Sequence, residues 1–287
     1  MSGAATSLNI GGTQEFNDDL LASDRILYVV SDPGVEQIKV DQRVKSTTSY
    51  LKRHHALFTF GENIGTKRFP VPTHKLKWLP TRQPVVTDLW KTSHRPVAPA
   101  VFTSVANWST SGLKDIEWRG EKYPWSKSRE FLRSVSATTK LGVTFELATD
   151  IKDEKTRAKF LRNGWRFRPP HQMSVDYWQY RDYIRRSKAE FTVAKDQYVR
   201  LHTGWFSDRS ACYLAAGRPV ITQQTGFTDH YGNEGGLFAF KSLGEIAAGV
   251  REINADYKKH SRAARAVACE VFEAEKVVGQ ILERAGV

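Results

Sequence analysis

Residues 204–227 read GWFSDRSACYLAAGRPVITQQTGF, and this stretch decides the fold. Ser207 or Asp208 is placed to cap a helix whose small and apolar positions Ala211, Cys212, Leu214 and Ala215 run on to Gly217, a left-handed stop just before Pro219. Pro219-Val220-Ile221-Thr222 then reads as a buried strand, ended by the polar turn Gln223-Gln224-Thr225-Gly226. The helix therefore opens beside a loop whose free N–H groups suit an anion. An ordinary strand-to-helix connection reads the same way, and ligands of open α/β sheets collect at such connections.

Working outward, Ala189–Ala194 and Gly236–Phe240 are the strands on either side, and Ser242-Leu243-Gly244-Glu245 opens a helical tail to Ala285 with a capping-box pattern. Upstream, Val101–Val105 is a strand leading into an aromatic and polar loop, Asn107–Trp125, with a helix from near Ser126. Val143–Ala148 is a buried strand, followed by a charged helix over about Asp153–Arg162, a short strand Trp165–Phe167 and a helix ending near Arg186. Strands alternating with helices over 101–287 predict a parallel sheet with helices on both faces and right-handed crossovers. The first hundred residues supply fewer elements. Leu8–Ile10 and Ile26–Val30 are strands, the second ending at Asp32; a helix is predicted over about Val40–His54; and Ala56–Phe60 is a strand ending at Gly61-Glu62-Asn63. From Thr66 to Pro99 the prolines Pro70, Pro72, Pro80, Pro84, Pro96 and Pro99 interrupt regular structure, which predicts an interdomain segment.

The chain has 287 residues and 40% hydrophobic content, enough for two domains of about 150 residues each. Its first residues lack the basic start and apolar core of a signal peptide, and no apolar run is long enough to span a bilayer, so a cytoplasmic location is predicted. Cys212 and Cys269 sit in predicted helices beside alanines, without metal-ligand spacing. They read as buried thiols, and neither zinc nor structural disulfides are expected. The net charge of +12 suits nucleic acid, an acidic membrane surface or a phosphorylated small substrate. Basic residues are scattered without a nucleic-acid motif, so no nucleic-acid partner is predicted, while a solvated basic face and peripheral membrane contact both stay open.

The segment Ala189–Phe227, with Ala-Gly-Arg-Pro-Val-Ile after a small-residue helix, resembles the donor-binding half of nucleotide-sugar glycosyltransferases of the two-domain GT-B fold. The resemblance implies an α/β chain: 98–287 a Rossmann-like nucleotide-sugar-binding domain, and 1–97 a partial N-terminal, acceptor-side α/β segment with the interdomain linker. An upstream segment or a partner chain is expected to complete that first domain. It implies transfer of a sugar from a nucleotide-diphosphate donor, a substrate and not a cofactor, to an unknown acceptor; no cofactor and no metal are expected. Retaining members carry glutamates at the positions held here by Gly204 and Cys212. That departure makes a degenerate, non-catalytic binding or scaffold protein the alternative.

Positive charge or aligned N–H dipoles must face a departing diphosphate, where charge develops. The first helical turn, Ser207, Asp208, Arg209 and Ser210, is the predicted diphosphate contact, although Ser207 is equally an ordinary N-cap. Lys127, with Ser128 beside it, and Lys195 follow strands leading to the same crevice and serve as point charges or as plain surface lysines. Trp205 and Phe206 stack on a base or sugar, or belong to the core. Thr225 and Gly226 offer backbone groups to sugar hydroxyls. Asp32 and Glu62 end strands facing the predicted cleft and are candidate general bases on an acceptor, Asp32 being also a natural Asp-Pro turn residue.

Overall fold

The computed structural model describes residues 6–17, 20, 22–92, 101–109, 115–139, 141–232 and 235–287. Four strands, β1 (Thr6–Ile10), β2 (Arg25–Val30), β3 (Ala56–Thr59) and β4 (Trp78–Pro80), form a parallel sheet in that order. Between β2 and β3 the predicted single helix is two, α1 (Val35–Asp41) and α2 (Lys45–Leu51). Arg43 breaks them with a left-handed φ of 60°, a stop that no glycine or proline announces in the sequence. The segment read as a linker from Thr66 contains β4, and Pro80 is tolerated there because β4 is the sheet edge. Pro96 and Pro99, like residues 110–114 of the aromatic loop, lie outside the described residues.

The second half carries β5 (Val101–Val105), a hairpin of β6 (Ile116–Trp118) and β7 (Glu121–Tyr123), α3 (Ser128–Arg133), β8 (Thr144–Ala148), α4 (Glu154–Arg162) and β9 (Arg166–Arg168). There follow α5 (His171–Ser174), α6 (Tyr177–Arg186), β10 (Ala189–Thr192), α7 (Asp196–Arg200), α8 (Asp208–Ala215), β11 (Val220–Gln223) and β12 (Leu237–Phe240). Three helices close the chain: α9 (Leu243–Ala255), α10 (Tyr257–Val271) and α11 (Ala274–Ala285). The six parallel strands lie in the order β12-β11-β10-β5-β8-β9, the doubly wound arrangement in which strand order reverses between β5 and β10. Phe102, Phe145, Phe191 and Ile221 bury one face against Phe131, Phe160 and Val250 of α3, α4 and α9. On the other face, Val220 and Leu237 pack against Leu214 of α8 and Ala264 and Ala268 of α10. Helices thus cover both faces, as the sequence predicts.

Local chemistry sets the ends of α8 and α9. Gly217, at φ 64°, donates to Leu214 O and Arg218 N donates to Tyr213 O, both at 2.8 Å, the paired bonds that close a helix through a left-handed residue. The capping box of α9 forms as read: Ser242 Oγ accepts from Glu245 N at 3.3 Å, and the Glu245 carboxylate accepts from Ser242 N at 2.9 Å. The chain passes between halves at Val85 and returns beside it, Val85 N donating to Phe272 O at 2.8 Å and Ala274 N to Val85 O at 3.0 Å. Helix α11 then packs on the first sheet, where Val277 and Ile281 join Leu27, Val29 and Phe58.

Candidate functional site

A cleft of about 430 Å³ opens at the point where strand order reverses. Val105, Ala106 and Asn107 reach it from β5, Lys195 from β10, Pro170 and Ser174 from the segment after β9, and Asp32 from β2 of the first half. Ser207, Asp208 and Arg209 enter as the N-terminus of α8, with Trp205 just before them and Trp125, Ser126 and Lys127 opposite.

Ser207 occupies the N-cap position in extended geometry, yet its side chain caps no N–H. Its hydroxyl instead donates to Asp208 Oδ1 at 3.4 Å. Among the described residues the N–H groups of Asp208, Arg209 and Ser210 have no acceptor, so the positive end of α8 is free to hold an anion at the cleft wall. Arg209 is committed: it donates to Glu190 Oε1 at 2.5 Å, Val105 O at 2.7 Å and Thr192 Oγ1 at 2.7 Å. Burial would lower its pKa, but Glu190 together with Tyr180 and Tyr213 holds it above the ordinary value. Lys195 is held by Asp32 Oδ1 at 2.6 Å and lies 3.6 Å from the centre of the Trp125 ring. Lys127 forms no ion pair among the described residues and stands 5.6 Å from the Trp205 ring. Desolvation, with Arg209 and Lys195 adding repulsion, brings its pKa down to about 7.

The cleft thus collects Asp32, Lys127, Lys195, Trp205, Ser207, Asp208 and Arg209. Glu62 does not line it: its carboxylate accepts from Arg82 at 2.9 and 3.2 Å. Phe206 is core, stacked on Phe272 with ring centres 5.3 Å apart. Ser128 shares a 2.7 Å hydrogen bond with Ser126, and Ser210 is buried with its hydroxyl unpartnered among the described residues. Thr225 and Gly226 act from behind. Thr225 accepts from Gly204 N at 2.8 Å through its carbonyl and donates through its hydroxyl to Trp205 O, which fixes the indole whose Nε1 donates to Ser31 O at 2.9 Å.

Gly204 and Cys212 cannot stand in for carboxylates, and the structure shows why the first is glycine. Its φ is 75°, and a Cβ there would lie 2.8 Å from Asn63 N, so the loop carrying Trp205 docks on the first half only without a side chain. Cys212 packs against the core beneath α6, where burial raises its thiol pKa. Asp208 is the carboxylate that α8 presents to the cleft.

Sequence reading missed Asn107, Trp125, Ser126, Pro170 and Ser174. Trp125 and Ser126 adjoin Lys127, which was a usable signal; Pro170 and Ser174 follow a three-residue strand that gives little warning. It also missed the hairpin, whose Arg119-Gly120 turn has φ of 51° and 77°. This arm reaches from the second half into the core of the first: Trp118 and Tyr123 pack with Val30 and Ile38, and Trp118 Nε1 donates to Asp41 Oδ2 at 2.8 Å. Arg200 of α7 holds it from the other side through Lys122 O at 2.8 Å and through Glu121.

Two α/β halves with a cleft between them and a last helix returning to the first half define the GT-B architecture. The chain is similar to Anabaena HepE in complex with UDP and glucose, at 15% identity and a TM-score of 0.60, covering 93% of this chain and 72% of that one. It is similar to sucrose-phosphate synthase from Thermosynechococcus elongatus, at 13% identity and 0.58 over 91% and 68% of the two chains. It is also similar to TarM, at 10% identity and 0.54 over 92% of this chain and 50% of that one, so it spans half the length of TarM. No protein-family pattern matches the sequence, and no curated protein sequence matches it. The chain has the GT-B fold. Among the described residues no helix is long and apolar enough to cross a membrane.

Proposed function

We propose that the chain transfers a sugar from a nucleotide-diphosphate donor to an acceptor hydroxyl, with the cleft beside α8 as donor site. The observation that carries this reading is the pairing of an uncapped helix N-terminus with Lys127, which forms no ion pair among the described residues, across the same cleft. The carboxylates Asp32 and Glu190 already neutralise Lys195 and Arg209, which leaves Lys127 and the N–H groups of α8 to meet added negative charge. Both also stabilise charge that builds on the departing diphosphate as the glycosidic bond breaks. HepE in complex with UDP supports a nucleotide diphosphate as the ligand class. Trp205 and Trp125 offer ring surface for the base or sugar, and Asp208 offers an acceptor for hydroxyls. Asp32 is the carboxylate of the first half that lines the cleft; it holds Lys195 and accepts from Tyr198 OH, so its first role here is to position that lysine.

The test is calorimetric titration with UDP, together with transfer and hydrolysis assays using labelled UDP-glucose and other nucleotide sugars. Lys127→Ala loses a charge-assisted hydrogen bond, and UDP affinity falls by roughly ten- to a hundredfold. Unchanged affinity in that variant places the donor elsewhere and overturns the proposal. A second reading, binding without transfer, draws on Gly204 and Cys212 standing where the resembled family has glutamates. Tight UDP binding with no turnover of any donor decides for it.

A further inference from the structure

Four of the ten large hydrophobic side chains that are exposed among the described residues gather at one place: Leu89 at 42%, Val175 at 75%, Tyr177 at 45% and Trp178 at 52%. Tyr177 packs edge-on against Trp90, Trp178 against Tyr177, and Arg181 both covers Trp178 at 4.6 Å and reaches the Leu89 backbone carbonyl at 3.5 Å, so Tyr177 and Trp178 form a ridge beside Leu89, with Val175 two positions before Tyr177 in the chain.

Beside the ridge a gap is left between α6 and the ends of β8 and β9, where Tyr183 of α6 reaches across to Glu146. Register places Thr103, Glu146 and Arg166 in one row on one face of the sheet. A groove of about 480 Å³ opens there, lined by Glu146, Arg166, Arg168 and, from α6, Tyr183 and Arg186. Glu146 is spent on Arg168 Nε at 2.8 Å and Tyr183 OH at 3.0 Å, while Arg166 and Arg186 have no partner among the described residues. The other nearby carboxylates are engaged too, Asp176 capping α6 and Asp182 lying 3.6 and 3.5 Å from Arg181 and Arg185.

We infer that this face binds an anionic lipid bilayer, the ridge entering the interface and the groove arginines taking lipid phosphates. The argument stands apart from the donor site. Exposed tryptophan, tyrosine and aliphatic side chains flanked by arginine match the boundary between headgroups and acyl chains, where an amphipathic ring has one apolar and one wet side. A second copy of the chain fits the face worse, because a symmetric contact sets the arginine excess against itself. Ser174, on the cleft rim, directly precedes Val175, so a bilayer on the ridge lies at the mouth of the cleft.

The experiment is co-sedimentation of the full chain with phosphatidylcholine vesicles with and without phosphatidylglycerol, over a salt series. Pelleting should require phosphatidylglycerol and fade with salt. Binding should weaken about fivefold for each arginine neutralised in Arg166→Gln and Arg186→Gln, and Trp178→Ala should abolish pelleting. Unchanged melting temperature and circular dichroism in each variant show that they remain folded. Equal pelleting on both vesicle types, no pelleting, or pelleting indifferent to these substitutions overturns the inference. So does a dimer in light scattering that Trp178→Ala converts to monomer.

Discussion

Lys127 should make nucleotide-sugar binding depend on pH in a way that its own substitution removes. In the free protein its ammonium titrates at about 7, because desolvation and the neighbouring Arg209 and Lys195 disfavour the charged form. A bound diphosphate supplies the missing negative charge and returns the pKa towards the ordinary lysine range, so binding above neutrality takes up a proton. The sign follows: affinity is full where Lys127 is already charged, below about pH 7, and declines as pH rises through that value. Each unit above it costs about 1.4 kcal/mol, or tenfold, so UDP-glucose binds about a hundredfold more weakly near pH 9 than below neutrality. UDP-glucose is the suitable probe because its diphosphate is a diester that does not titrate in this window. Calorimetry in two buffers of different ionisation enthalpy should register close to one proton taken up per ligand near pH 9 and almost none near pH 6. Lys127→Met should bind more weakly below neutrality and show a flat profile. Affinity of the unmodified chain that stays constant from about pH 6 to 9 refutes the placement of Lys127 on the diphosphate.

Gly204→Ala should lower the urea midpoint by an amount equivalent to about 1–3 kcal/mol, since the left-handed backbone and the 2.8 Å approach to Asn63 N both oppose a side chain; an unshifted midpoint contradicts that account. Glu190→Ala leaves Arg209 buried without its carboxylate and should cost about 3–5 kcal/mol in denaturant unfolding, whereas loss below 1 kcal/mol shows that the pair is dispensable. Trp118→Ala should release the β6–β7 arm from the first half, read as faster amide exchange at residues 116–123; exchange rates equal to the parent protein's show that the arm is anchored elsewhere. The same stability measurement at several pH values carries a further sign. Folding holds Lys127 at about 7 against 10.5 when unfolded, so its contribution grows less favourable as pH falls from 10.5 to 7. Lys127→Met should raise the melting temperature most near and below neutrality.

Much of this molecule was legible from neighbours in the chain. Gly217 stops α8, Ser242 and Glu245 start α9, and the apolar runs at Val101, Thr144 and Ala189 become strands, because capping bonds and periodic burial depend on residues only a few positions apart. The element order from 101 onward, and the placement of a helix N-terminus at Ser207–Ser210, come from the same local grammar. What the tertiary structure decided is which of those residues meet. Lys195 contacts Asp32 across 163 positions, Glu190 reaches Arg209 only because β10 lies beside α8, and Glu62 turns to Arg82 instead of the cleft. Phe206 and Trp205 are adjacent in sequence and both buried, yet Phe206 packs among the core aromatics while Trp205, packed on Ala194 and Tyr198, also presents an edge to the cleft. Gly204 carries the same lesson: its missing side chain has no cause within its own loop. The cause is the backbone of Asn63, brought against it when the two halves dock, a contact that no pattern along the chain encodes.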